Sequence, residues 1–232
     1  GNRNSYHISS NEIMRKVYKG NPNIGLSFLY NTHLGRIILK PLVKSKFVSY
    51  LSGKFMDSSL SKIMISSFVK KNNIDLSIYE KDKFDSFNDF FTRKIKKNKR
   101  PIPKSNNYLL SPCDSKLTYL KIDKNTTFNI KNSTYTINSI LKNDSLAKKY
   151  KDGTALIFRL SPDDYHRYMF ICDGVITSNY KIKGMFHSVN PVAYKNYEVF
   201  KDNTRECTCI KTNDMGLVTY VEVGALLVGK IK

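Results

Sequence analysis

At 232 residues, 41% of them apolar and 12% aromatic, the chain can bury a sizeable core and is too apolar for intrinsic disorder. Its net charge of +20, from 39 basic against 19 acidic side chains, draws polyanions: nucleic acid, an anionic membrane surface or acidic ligands. No RNP-type strand or zinc-finger spacing accompanies that charge, so a membrane surface ranks above nucleic acid. An apolar run of about 18 residues, as a bilayer-spanning helix needs, is also missing.

Residues 1–23 are polar, rich in Asn and Lys, and close on an Asn21-Pro22-Asn23 turn signal. Nothing in the first twenty residues reads as a signal peptide. From Ile24 to about Lys71 the pattern predicts helix. Leu26, Leu29 and Tyr30, then Leu34, Ile37, Ile38, Leu42 and Val43, recur at spacings of three and four. Pro41 is expected to kink or restart it. Ser58 to Lys70 carries Leu60, Ile63, Met64 and Phe68 on one face, with Lys and Arg flanking the stripes. Two readings follow: a helical pair packed on the domain, or a basic amphipathic surface lying on lipid.

In FDSFNDFFTRKIKKNKRPIP, Ser86 or Asp85 is placed to cap a short helix with Phe87, Phe90 and Phe91 on one side. Six basic residues then fall within Arg93–Arg100, and Pro101 and Pro103 close the segment. From Tyr108 onward short Val, Ile, Thr and Tyr runs alternate with turn residues: LTYLKI, TFNI, TYTI, TALIFRL, VITSNYKI, ECTCIKT and LVTYVEVGALLVGKI. These predict strands. Asn138 to Tyr150 reads as a helical interruption before an Asp152-Gly153 turn. The class is therefore α+β, an N-terminal helical segment over 1–105 followed by a β-rich, mixed-sheet domain over 106–232. The cysteines, Cys113, Cys172, Cys207 and Cys209, form no CxxC pair and read as reduced thiols, with no metal site.

Three short runs carry chemistry. Ser111-Pro112-Cys113-Asp114 ends a loop just before a strand. DYHR places His166 among carboxylates and an Arg. GMFHSVNP offers His187 with Ser188 and Asn190 on a Pro-terminated loop. An Asp and a His on separate strand ends are two members of a Ser-His-Asp arrangement, in which the carboxylate orients an imidazole that takes a proton. Histidine suits that work because its ordinary pKa of about 6.5 leaves it neutral and basic at pH 7. The residues alone leave His166 and His187 each open as base or as core histidine, with several serines as partners.

Taken together and in order, FNDFFTRKIKKNKRPI, SPCD, FRLSPDDYHRYMFICDG, GMFHSVNPVAYKNYEVFKDNTRE and VEVGALLVGKI resemble the phosphatidylserine decarboxylase family of bacterial type, across roughly residues 45–232. The resemblance implies a proenzyme that cuts itself at a Gly-Ser bond into a β chain and a short α chain. That serine becomes a covalent pyruvoyl group, whose carbonyl forms a Schiff base with phosphatidylserine and serves as the electron sink while CO2 leaves, giving phosphatidylethanolamine. It implies that Asp114 and His166 are catalytic, with His187 as substitute base, and that Arg93, Tyr165, Arg167, Ser188 and Asn190 bind substrate. Its partners would be the α chain and an anionic phospholipid surface, with no nucleic acid; a homodimer stays open. Its place would be peripheral, on the cytoplasmic face of the cell membrane.

Three departures stand out. Many members carry a second His three residues after the first, where this chain has Met169, and a thioether takes no proton at pH 7. A Gly usual after the Asp is Ser115 here, which is expected to strain or shift the loop. The Gly-Ser cleavage motif does not occur before Lys232, so the pyruvoyl-forming serine lies outside the sequence. The alternative implied by these departures is an unprocessed, catalytically degenerate homologue that binds phospholipid or a partner protein.

Overall fold

The computed structural model describes residues 24–101, 109–130, 133–161, 163–188, 193 and 197–225. The expected domain boundary at 105/106, Asn190, residues 1–23 and the segment from Leu226 to Lys232 lie outside them.

The helical stretch, expected to restart near Pro41 and to form a pair, is four helices: α1 (Ile24–Asn31), α2 (His33–Lys44), α3 (Lys46–Asp57) and α4 (Ile63–Asn72). Hydroxyl side chains make the breaks. Thr32 accepts the Gly35 N–H at 2.9 Å and Ser45 accepts the Val48 N–H at 3.2 Å, each from an extended backbone, as N-caps do. Pro41 sits inside α2, which ends a turn later where the Ser45 N–H bonds the Pro41 carbonyl. The helix thus runs through Pro41, whose own carbonyl remains available, and restarts at Ser45. α1 and α2 cross so closely at Gly35 that a Cβ there would lie 2.1 Å from the Phe28 carbonyl oxygen.

A short helix α5 (Phe87–Phe91) is capped by Ser86, whose hydroxyl accepts the Asp89 N–H. It buries Phe87 and Phe90 with Phe84 against Met56, Phe68 and Val69 of α3 and α4. Ser61, fully buried in the turn between α3 and α4, accepts the Phe87 N–H at 2.8 Å and so seats α5.

Beyond Pro101 the chain is β-rich. β1 (Lys116–Lys121) pairs with β4 (Thr154–Arg159), β2 (Thr127–Ile130) with β3 (Ser133–Thr136), and β5 (Gly174–Ile182), β6 (Arg205–Thr212) and β7 (Leu217–Val223) form a third sheet. These pairings are antiparallel, and one parallel bridge joins Met185 to Asn203. The helical interruption is two helices, α6 (Ile137–Leu141) and α7 (Asp144–Lys148), parted by Lys142 at φ 51°. A last short helix, α8 (Val199–Asp202), leads into β6. The observed fold is α+β, as expected.

The β core gathers Ile122, Phe128, Tyr135, Leu141, Cys207 and Cys209. Arg205, 1% exposed, donates to the carbonyls of Ser139, Ile140, Lys201 and Asn203. A buried guanidinium is tolerable there because its donors meet carbonyl dipoles at the end of α6 and beside α8. A separate cluster joins Tyr30, Leu39 and Val43 of the α1–α2 hairpin to Ala193 and Val199.

Candidate active site

Arg93 organises the DYHR segment. It is 2% exposed and donates from Nη2 to the carbonyls of Asp163 (2.9 Å) and Asp164 (3.3 Å), and from Nη1 to the Phe90 carbonyl. Its guanidinium lies 4.6 Å from the Tyr79 ring centre and 4.9 Å from that of Phe90, within cation–π range. Of the residues expected at a headgroup, Arg93 therefore faces protein carbonyls and rings, holding residues 163–164 against α5. Tyr165 accepts the Ile95 N–H at 3.3 Å, and exposed Arg167 donates from Nε to the Thr92 carbonyl at 3.0 Å. The whole DYHR run is laced to the end of α5.

His166 is half-buried. Its Nδ1 lies 2.8 Å from the Asp164 carbonyl. A carbonyl only accepts, so Nδ1 carries the hydrogen and Nε2 keeps a lone pair. The ring centre stands 3.9 Å from that of Phe91. Burial, aided by the Arg93 charge, holds the imidazole pKa below its ordinary value, although the Asp164 carbonyl opposes this. His166 is thus neutral at pH 7, with Nε2 basic.

The Met169 N–H donates to the Pro112 carbonyl at 2.9 Å, which lays the SPCD loop beside the DYHR segment. Position 169 is therefore next to the loop of Asp114, and a histidine there would stand beside it; Met169 offers no proton acceptor. Asp114 is held instead by Arg100, from Nε at 3.0 and 3.1 Å and from Nη2 at 2.5 Å. Its carboxylate raises the Arg100 pKa. Asp114, Asp163, Asp164, Tyr165 and Arg100 line one cavity of about 200 Å³. Among the described residues, Asp114 makes no hydrogen bond to either histidine. The expected strain at Ser115 does not arise: its φ is not positive, and its hydroxyl donates to the Cys113 carbonyl at 3.5 Å.

His187 is a different kind of residue. It is 1% exposed, its ring stacks 4.1 Å from Tyr197, and among the described residues neither ring nitrogen has a hydrogen-bond partner. Burial depresses its pKa, with Asp202 opposing. Asn203, fully buried, clamps its backbone: Oδ1 accepts the His187 N–H at 2.9 Å while Nδ2 donates to the His187 and Gly224 carbonyls. The Ser188 N–H bonds the Tyr30 hydroxyl at 2.7 Å. Sequence reasoning missed Arg100 as the partner of Asp114, and also missed Asn203 and Tyr30. The basic run signalled Arg100 and the helical stripe held Tyr30, but neither pattern pointed to these bonds.

Fold and site together define an α+β protein that sets a neutral imidazole and a carboxylate-lined cavity on adjacent loops, equipment suited to proton transfer. The family model of phosphatidylserine decarboxylase matches residues 87–232. Phosphatidylserine decarboxylase proenzyme 2 of Clostridium acetobutylicum is 45% identical over 224 residues, covering 96% of this chain and 77% of that protein. The proenzymes of Clostridium tetani and Clostridium beijerinckii are 44% and 41% identical over 210 residues, covering 89% of this chain and 70% and 71% of theirs. The chain belongs to the phosphatidylserine decarboxylase family.

Proposed function

We propose that the chain is the larger part of a self-processing phosphatidylserine decarboxylase working as a peripheral protein on the cytoplasmic face of an anionic membrane. His166 carries the chemical half of this reading. Its Nδ1–H is fixed on the Asp164 carbonyl and its pKa is held down, so Nε2 can take up a proton and return it near neutral pH. A neutral imidazole fits a covalent pyruvoyl group, which, made from a serine outside residues 1–232, supplies the electron sink for loss of CO2. Arg93 keeps the DYHR segment in place, and exposed Arg167 offers a cation to substrate phosphate or carboxylate.

The membrane half rests on the helices. Leu34, Ile37, Phe47, Tyr50, Leu60 and Ile63 are all more than half exposed, an unusual density of apolar side chains for a water-facing surface. Exposed Lys40, Lys54 and Lys70 lie on the same helices and exposed Lys62 in the turn between α3 and α4, and each contributes about 1 kcal/mol near an anionic bilayer. No helix among the described residues is long and apolar enough to cross a membrane.

The test is to express the full-length gene, weigh its products by intact mass and assay decarboxylation of phosphatidylserine in vesicles. Two chains, the smaller blocked at its N-terminus, together with formation of phosphatidylethanolamine, are expected. His166→Ala should lower the rate by a factor of about 100 or more. Met169 and the Arg100–Asp114 pair favour a second reading, an unprocessed phospholipid-binding homologue. A single uncut chain that binds vesicles and releases no CO2 would put that reading first.

A further inference from the structure

The α1–α2 hairpin bonds to the backbone on both sides of His187. From α1, the Tyr30 hydroxyl accepts the Ser188 N–H at 2.7 Å. From α2, the Val43 carbonyl accepts the Phe186 N–H at 3.1 Å. The Tyr30 ring, fully buried, meets Tyr197 edge-on at 5.8 Å and stands 6.1 Å from His187. Between these two bonds the His187 amide is held from the opposite side by Asn203. Alternate N–H groups of one extended segment are thus fixed by the two helices of the hairpin and the intervening one by the core. On its outer side the hairpin leaves Leu34, Ile37 and Ile38 exposed.

We propose that the hairpin is a strut for the site and that Tyr30 is its positioning residue, fixing the backbone of residues 186–188 and with it Ser188; this rests on the decarboxylase reading. The physical reason lies in where the bonds end. Both go to main-chain N–H groups, so they set the path of the segment rather than one rotamer. Both come from a single hairpin closed at Gly35. A surface that seats the hairpin by its exposed apolar side therefore biases the same equilibrium that orders Ser188, and substrate binding at Ser188 biases the seating in return.

The experiment compares full-length wild-type protein with Tyr30→Phe, which keeps the ring and removes the oxygen. Ile122→Val, in the distant β core, is the control for a general loss of stability. The substrate is dihexanoyl phosphatidylserine below its micelle concentration, with and without vesicles of phosphatidylglycerol and phosphatidylcholine. Wild-type turnover should rise when vesicles are added. Tyr30→Phe should be processed and bind vesicles normally, yet show kcat/KM about fivefold lower, the effect expected of one lost hydrogen bond. Amide exchange at residues 186–188 should quicken about fivefold in Tyr30→Phe and not in Ile122→Val. Equal turnover in wild type and Tyr30→Phe, or equal losses in both variants, would overturn the strut. An inactive wild type would refute the decarboxylase reading instead, and amide exchange would still decide the strut: faster exchange upholds it, unchanged exchange overturns it.

Discussion

His166 and His187 began as equivalent candidates and end in opposite environments. His166 has one nitrogen bonded to a carbonyl and the other free, whereas His187 is enclosed by aromatic rings with both nitrogens unpartnered. Both have depressed pKa values, chiefly through burial, and the sign of the consequence follows. The unfolded chain takes up a proton on each near pH 6.5 while the folded chain resists it until lower pH, so stability is full above about 6.5 and is lost as the pH falls below it. The urea midpoint should therefore drop between pH 7.5 and 5.5. In His187→Phe, which retains the stack on Tyr197, the drop should be smaller; an undiminished drop would place the effect elsewhere. The base role proposed for His166 requires a neutral imidazole, so under that proposal the acid limb of decarboxylation should lie below about pH 6.5.

At the scale of elements, small residues at crossings and caps decide the helical half. Gly35 lets α1 and α2 meet, and its Cβ would strike backbone rather than a movable side chain. Gly35→Ala should cost about 1–3 kcal/mol, as overpacking does, and show as a lower thermal midpoint with weaker vesicle binding. Ser61 joins the turn before α4 to α5 through one buried hydrogen bond. Ser61→Ala leaves the Phe87 N–H without its acceptor and should cost about 1–3 kcal/mol in denaturant unfolding. Because α5 carries Phe91 and the carbonyl to which Arg93 is bonded, the same change should lower turnover through His166. Wild-type turnover in Ser61→Ala would show that α5 does not position the imidazole.

At the scale of the molecule, charge and apolar exposure act together. A net charge of +20 attracts anionic surfaces at long range, and salt screens that attraction, the Debye length falling from about 10 Å at 0.1 M to about 3 Å at 1 M. Apolar contact is not screened in this way. Wild-type binding to phosphatidylglycerol vesicles should weaken with salt but persist in part, while an Ile37→Asp, Leu60→Asp, Ile63→Asp variant should lose the salt-resistant fraction. Complete loss of wild-type binding at 1 M salt would reduce the attachment to unspecific charge.

Much of the fold was legible because its signals are local. The strands among the described residues fall on the Val, Ile, Thr and Tyr runs, and Ser86 caps the Phe87–Phe91 helix as its hydroxyl and spacing require. The helical stretch was legible in type but not in its breaks. Thr32 caps where the α1–α2 hairpin turns to bury Tyr30, Leu39 and Val43, and Ser45 caps where α2 gives way to α3. DYHR and SPCD singled out His166 and Asp114 as candidates by residue type, and the family resemblance alone implied their roles. Only the tertiary structure decided that Asp114 pairs with Arg100, that Arg93 and Arg205 turn inward to carbonyls, and that His187 is sealed among rings. Residue identity and spacing govern capping and periodicity within a few residues. Burial and the partner of a charge depend on segments far apart in the chain, and these set both the pKa of an imidazole and the group a carboxylate holds.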